Sequence, residues 1–325
     1  MRHIILVTFR TKPHDREIIL GKLEGIAEAI FLYGLDKLPI EIIQKATIIF
    51  TGSGLDLKPE ILARAKNLKM IQTLSAGVDT LPFEKIPRNV IVCSNAGGNA
   101  IVVAEHAFAM ILAATRKITY HNGVMRSGIW QRRRYGILLH GKTLGILGLG
   151  NVGREIARIG KCFGMRIYAI NRSGKTTMDI DFIGTPKDLD FVLRNSDIVV
   201  ISLPLNKYTR GIIGERELKL MKKNAILVNV SRGAIIDQKA LYNHLRENTE
   251  FTACLDVWWK YPPRGSDKCF QDYPFHELPN VIMTPHIAGF SEEIRTRVLL
   301  HALENILRFI RGEKPINIVD RDEYA

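Results

Sequence analysis

Residues 142–153 read Lys-Thr-Leu-Gly-Ile-Leu-Gly-Leu-Gly-Asn-Val-Gly, and this stretch leaves the chain little choice of local fold. An apolar run, 144–147, stops at Gly148, Gly150 and Gly153; beyond it Val152, Ile156, Ile159 and Phe163 recur at helical spacing. The pattern is strand, tight turn and helix, with GxGxxG at the joint. Gly148 permits the sharp turn, Gly150 lets a pyrophosphate approach the backbone, and Gly153 lets the helix lie close to the strand. Asn151 and Val152 open the helix, where an anion meets free amides. A second strand-like run, 166–170, follows at βαβ distance. In that context the glycines signal dinucleotide binding rather than an ordinary turn.

A length of 325 residues suggests two domains, and 46% hydrophobic with 24% charged residues allows a large core. No apolar run approaches the roughly 20 residues of a membrane span. Met1-Arg2-His3 runs straight into a strand-like segment, without a signal-peptide layout. Cys93, Cys162, Cys254 and Cys269 form no CxxC pair, which argues against a zinc site and a disulfide framework. No metal is expected, and a reducing cytoplasm is. The glycosylation triplets beginning at Asn171 and Asn229 fall at strand ends inside the nucleotide region and are read as chance. The net charge of +13 favours anionic ligands. Its only dense run, Arg132-Arg133-Arg134, belongs to no aromatic-interleaved stripe, so nucleic acid is not an expected partner.

In chain order, strands are expected at 4–9, 46–51, 70–74 and 90–93, with helices at 16–29 and 58–65. Continuous apolar strands imply a parallel sheet covered on both faces. Ser75-Ala76-Gly77-Val78 directly follows a strand; it is either a ligand loop at a carboxyl end or a plain turn. An apolar helix over 99–116 carries Glu105-His106. Neighbours on a helix point about 100° apart, so these two cannot act as a pair, and capping or interface contacts are expected. Residues 117–140 read as a polar, basic connection in which Trp130 packs. Further strands are expected at 198–201, 225–229, 252–255 and 281–283, and helices at 215–221 and 238–248. Residues 258–278 read as a long loop, and a last helix, 291–311, returns to the first domain. The alternation describes an α/β protein with doubly wound parallel sheets.

Asn171 ends the second strand of the nucleotide unit, where an acidic residue would bind ribose hydroxyls. Here the position is uncharged, and Arg172, Ser173 and Lys175 follow. Arginine grips a 2′-phosphate through a fork of donors, which favours NADP(H) while leaving NAD(H) possible. The alternative is that Arg172 stacks on adenine. Arg232, at the carboxyl end of 225–229, is placed to clamp a carboxylate. His286, ending another strand, is placed to protonate a carbonyl oxygen during reduction.

Gly-Leu-Gly-Asn-Val-Gly at 148–153, Asn-Val-Ser-Arg-Gly at 229–233, Leu-Asp-Val-Trp at 255–258 and Thr-Pro-His-Ile-Ala-Gly at 284–289 together resemble the D-isomer-specific 2-hydroxyacid dehydrogenase family. The resemblance spans nearly the whole chain. It implies two Rossmann-like or flavodoxin-like domains, a dinucleotide-binding domain at 99–289 inserted into a substrate domain at 1–98 and 290–325. It implies that Arg232 binds the substrate carboxylate, that His286 is the acid–base group and that Asp256 contacts the nicotinamide amide. Ala76 and Gly77 would offer amides to the carboxylate, and Leu203, Pro204, Thr209, Val230 and Gly289 join the cofactor-binding set. It also implies a homodimer paired through the nucleotide domains, with the 99–116 helix in the interface.

One position departs from the family. A glutamate normally stands five residues after the aspartate of Leu-Asp-Val and supports the charged histidine; here it is Tyr261. A phenol orients an imidazole but offers no countercharge, and each pKa unit of lost support corresponds to about 1.4 kcal/mol. Reduction is therefore expected to favour lower pH. The expected activity is NADP(H)-dependent reduction of a small 2-oxoacid such as glyoxylate or hydroxypyruvate. The alternatives are a formate dehydrogenase, which needs no acid–base partner, and a silent nucleotide-sensing module.

Overall fold

A computed structural model of the chain describes residues 3–34, 39–263, 266, 271–291 and 293–324. The chain divides into two units, Met1–Asn99 with Ser291–Ala325, and Ala100–Phe290.

The first unit holds five parallel strands, β1 (His3–Val7), β2 (Ala27–Phe31), β3 (Ile48–Thr51), β4 (Met70–Thr73) and β5 (Ile91–Cys93), in the order β2-β1-β3-β4-β5. Ile5, Val7, Ile48 and Phe50 pack under α1 (Pro13–Leu23) and the last helix, α10 (Ile294–Ile310). Leu6, Ile49 and Ile71 pack on the opposite face, under α2 (Ile40–Lys45) and α3 (Pro59–Arg64). Burial on both faces is why these strands read as unbroken apolar runs. The helix expected over 16–29 is two elements. Pro13 starts α1, Gly25 at φ +70° turns the chain out of it, and residues 27–31 become the edge strand β2, paired with β1 from His3↔Ala27 to Val7↔Phe31. A five-residue strand opening Ala-Glu-Ala has a helical composition, and only its pairing with β1 makes it extended.

The second unit holds seven parallel strands: β6 (Thr143–Leu147), β7 (Arg166–Ile170), β8 (Phe182–Gly184), β9 (Ile198–Ile201), β10 (Ile226–Asn229), β11 (Thr252–Leu255) and β12 (Val281–Met283). Their order is β12-β11-β10-β9-β6-β7-β8. Helices α4 (Ala100–Thr115) and α6 (Asn151–Cys162) pack on one face, and α7 (Leu189–Asn195), α8 (Glu215–Leu220) and α9 (Gln238–Glu247) on the other. The direction of winding reverses between β6 and β9, which leaves a crevice beyond Leu147 and Ile201 where ligands of such sheets bind.

The connection 117–140 contains a helix that its composition hides, α5 (Ile118–Arg126). Trp130, expected to pack, is 77% exposed, and Ile129, Tyr135 and Leu138 are exposed beside it. Cys269 lies outside the described residues. Among the described residues no helix is long and apolar enough to cross a membrane.

Candidate active site

At the crevice, Gly148 adopts φ +105°, a conformation closed to most side chains, and turns the chain out of β6. A Cβ on Gly153 would lie 2.2 Å from the Gly148 carbonyl oxygen, so the first turn of α6 sits directly against the strand end. Ser202, following β9, donates its hydroxyl to that same carbonyl at 2.7 Å. A Cβ on Gly150 would meet nothing within 4 Å. The glycines thus divide the work: two close the turn, and the third leaves an open approach to the amides of Asn151 and Val152, which have no partner four residues back. Free amides at a helix N-terminus suit an anion, and the helix dipole favours one.

The neighbouring loop after β7 is organised by Asn171. Its Oδ1 accepts the amides of Ser173 (3.1 Å) and Gly174 (2.7 Å), and its side-chain amide donates to the Lys175 carbonyl at 2.8 Å. Asn171 therefore shapes the loop, while Arg172, Ser173 and Lys175 are exposed on it. Beyond β9, Thr209 donates to the Pro204 carbonyl at 2.6 Å and closes the turn that follows Leu203.

Past the ends of β10, β11 and β12 the backbone continues to pair. The Asp256 amide donates to the Asn229 carbonyl (3.1 Å), and the His286 amide donates to the Asp256 carbonyl (2.8 Å). Asn229, fully buried, accepts the Ser231 amide at 3.1 Å and donates to the Arg232 carbonyl at 2.9 Å, next to buried Val230. Arg232 is half-buried, with Nη1 donating to the Ser231 carbonyl at 2.8 Å. A Cβ on Gly233 would lie 2.3 Å from the Trp258 carbonyl carbon, so the loops after β10 and β11 touch backbone to backbone.

Asp256 is 0% exposed. Its Oδ1 accepts the Thr284 hydroxyl (2.6 Å) and the Ile287 amide (2.9 Å), and its Oδ2 accepts the Ala288 amide (3.0 Å), one residue before Gly289. With the carbonyl bond to His286, one residue grips three successive amides. In this geometry Asp256 anchors the loop after β12. His286 takes φ +58°, a left-handed conformation that costs a non-glycine residue about 1 kcal/mol and is held by that grip. The His286 ring lies 5.2 Å from the ring of Tyr261, tilted by 35°. The Tyr261 hydroxyl accepts the Trp258 amide at 3.2 Å, and Trp258 Nε1 donates to the Thr284 carbonyl at 3.0 Å.

Sequence reasoning passed over His106. Its expected capping or interface role gives way to contacts with Thr284 Oγ1 (3.0 Å) and Asp256 Oδ1 (3.5 Å), whereas Glu105 points to solvent. Nothing local could have found these partners, which lie 178 and 150 residues away. Below them Cys254 is buried, and burial pushes its thiol up to about 12, which makes it inert.

In the first unit, the Ser75 hydroxyl donates to the Gly77 carbonyl (2.7 Å) and Asn95 donates to the Leu74 carbonyl (3.0 Å). Among the described residues neither the Ala76 nor the Gly77 amide donates to a protein acceptor. Two adjacent half-buried amides of this kind suit an anionic ligand.

A family model for the NAD-binding domain of D-isomer-specific 2-hydroxyacid dehydrogenases matches residues 108–288. The chain belongs to that family. It is 39% identical over 272 residues to a glyoxylate reductase of Aeropyrum pernix, an overlap covering 81% of this chain and 79% of the relative. A D-3-phosphoglycerate dehydrogenase of Methanocaldococcus jannaschii is 35% identical over 92% of this chain, which spans 56% of that longer protein. Among solved structures, an acyclic imino acid reductase in complex with NADPH and D-Arg aligns with a TM-score of 0.79 at 25% identity, covering 97% of this chain and 99% of that one. This dehydrogenase therefore uses a nicotinamide cofactor for hydride transfer between 2-hydroxyacids and 2-oxoacids.

The two open-chain roles of the glycines separate by substitution. Gly150→Ala should keep the melting temperature, because its Cβ enters open space, and yet weaken coenzyme binding at least about tenfold, because turns of this pattern bring the pyrophosphate against the second glycine. Gly153→Ala should lose both, since its Cβ overlaps a carbonyl. Calorimetry with coenzyme titration checks the pair; equal behaviour of the two variants counts against the assignment.

Proposed function

We propose that this dehydrogenase reduces a small 2-oxoacid of the glyoxylate or hydroxypyruvate class with NADP(H), His286 serving as the acid–base group and Arg232 as the carboxylate clamp. The observation that carries the proposal is His286 itself: an exposed imidazole fixed in a left-handed conformation at the end of β12, two strands from Arg232. The glyoxylate reductase relatives support the substrate class.

In this reading the guanidinium of Arg232 binds the carboxylate through its fork of donors and directs the adjacent carbonyl. The amides of Ala76 and Gly77 are assigned as substrate-binding donors. The nicotinamide, when bound, supplies the hydride. His286 delivers a proton to the carbonyl oxygen, and Tyr261 orients the ring without lending it charge.

NADP(H) is favoured by the loop that Asn171 builds. No acidic residue stands at 171–173 to repel a 2′-phosphate, Arg172 and Lys175 are exposed on it, and the imino acid reductase holds NADPH. A homodimer is proposed through the second unit. The helix expected in the interface, α4, buries Val103, Ala107, Met110 and Ala114 in its own core. We assign the exposed apolar side chains of 118–138, among them Ile118, Met125, Trp130 and Tyr135, to the same interface with the partner copy. A reducing cytoplasm is consistent with three free thiols at Cys93, Cys162 and Cys254.

His286→Asn, chosen because asparagine tolerates the left-handed conformation, should lower kcat by about 10²–10⁴-fold with coenzyme affinity unchanged. Tyr261→Glu should move the fall in reductase kcat/KM to higher pH. Normal turnover in the first variant, followed at 340 nm with NADPH and a 2-oxoacid panel, ends the mechanism. Arg172→Ala should raise KM for NADPH about tenfold or more and leave KM for NADH nearly constant; a preference for NADH in the parent enzyme rejects the coenzyme assignment. Sedimentation should give the mass of a dimer, with Trp130→Glu shifted toward monomer. A wild-type monomer at all concentrations removes the interface.

A further inference from the structure

Thr284 carries a single hydroxyl proton, and it is directed at Asp256 Oδ1 at 2.6 Å. Toward His106 Nε2, 3.0 Å away, the same hydroxyl can only accept. Nε2 of His106 therefore carries a proton, and the donors run in one direction: imidazole to hydroxyl, hydroxyl to carboxylate. The carboxylate also receives the amides of Ile287 and Ala288, and the Asp256 carbonyl receives that of His286. His106 sits on α4 with its side chain 19% exposed and Asp256 wholly enclosed, so little water competes for these bonds. A hydrogen bond to an ionised group in such surroundings is of the stronger kind.

We propose that His106 is a positioning residue for the acid–base step. It acts through Thr284 and Asp256 to hold the loop on which His286 stands. This rests on the assignment of His286 as the acid–base group. Removing the Nε2 donor releases the Thr284 hydroxyl from a fixed direction and loosens one of the anchors of the 286–288 turn. The left-handed backbone at His286 has a more relaxed alternative to fall into. A displacement of the reacting ring by about 1 Å is enough to cost on the order of 10²-fold in rate. The coenzyme cradle at 148–153 lies on other loops and is untouched.

His106→Leu should lower kcat about 10- to 100-fold, with KM for the coenzyme unchanged and the melting temperature reported alongside. His106→Gln, whose amide places an N–H at the reach of Nε2, should recover most of the loss; His106→Asn, too short to reach Thr284, should not. In a Thr284→Val background, His106→Leu should add little, because the bridging hydroxyl is already gone. If His106→Leu fails to fold, the Gln and Asn variants carry the test between them. Equal kcat in Gln and Asn variants, or additive losses with Thr284→Val, overturns the proposal. It does so while leaving His286 in place as the acid–base group, provided that His286→Asn is inactive. Full turnover in His286→Asn overturns both.

Discussion

A single buried carboxylate decides how the end of the second sheet is arranged. Asp256 closes the β11 strand, and its carbonyl and two carboxylate oxygens take three consecutive amides, 286 to 288, from the loop after β12. An ionised group with no exposure is tolerated only when donors surround it. Here peptide N–H groups and one hydroxyl provide them, so the charge and the loop stabilise each other. The strained backbone at His286 follows from this arrangement, since a loop gripped at three successive amides has no freedom to relax at the first of them.

The turn at 148–153 is shaped by backbone contacts. The reversal of strand order between β6 and β9 opens the crevice, and three glycines with different surroundings shape it. The same local chemistry recurs one loop over, where Asn171 folds back on its own turn and leaves the basic residues outermost. Backbone donors and surface cations line one region, while the carboxyl ends of β10 to β12 carry Arg232, Asp256 and His286. Both are set by loops at the carboxyl edge of one sheet.

Much of this was legible from the residues. The alternation of apolar runs with helical spacing gives the α/β class and ten of the strands, because strands buried on both faces carry their own signature. The strands that were not legible, β2 and β8, are edge or near-edge elements of three to five residues, which are extended because a neighbour pairs with them. Tyr261 stood out only against a family pattern, and the structure sets its ring beside His286. The contacts of Asp256 and His106 were not legible, for a common reason. Their meaning lies in partners far along the chain, and the adjacent pair Glu105-His106 drew attention to a neighbour that turns out to face solvent. Trp130 misled in the opposite sense, since a large aromatic residue is usually packed and this one is not.

The contact of Gly233 with the Trp258 carbonyl has a wider bearing. With no side chain between them, the segment bearing the Arg232 guanidinium packs directly on the aromatic segment that ends in Tyr261. Displacing the aromatic segment would press on the backbone at Gly233, next to Arg232. Diversification of this pocket is thus steered away from that wall, toward loops whose displacement leaves Arg232 where it is.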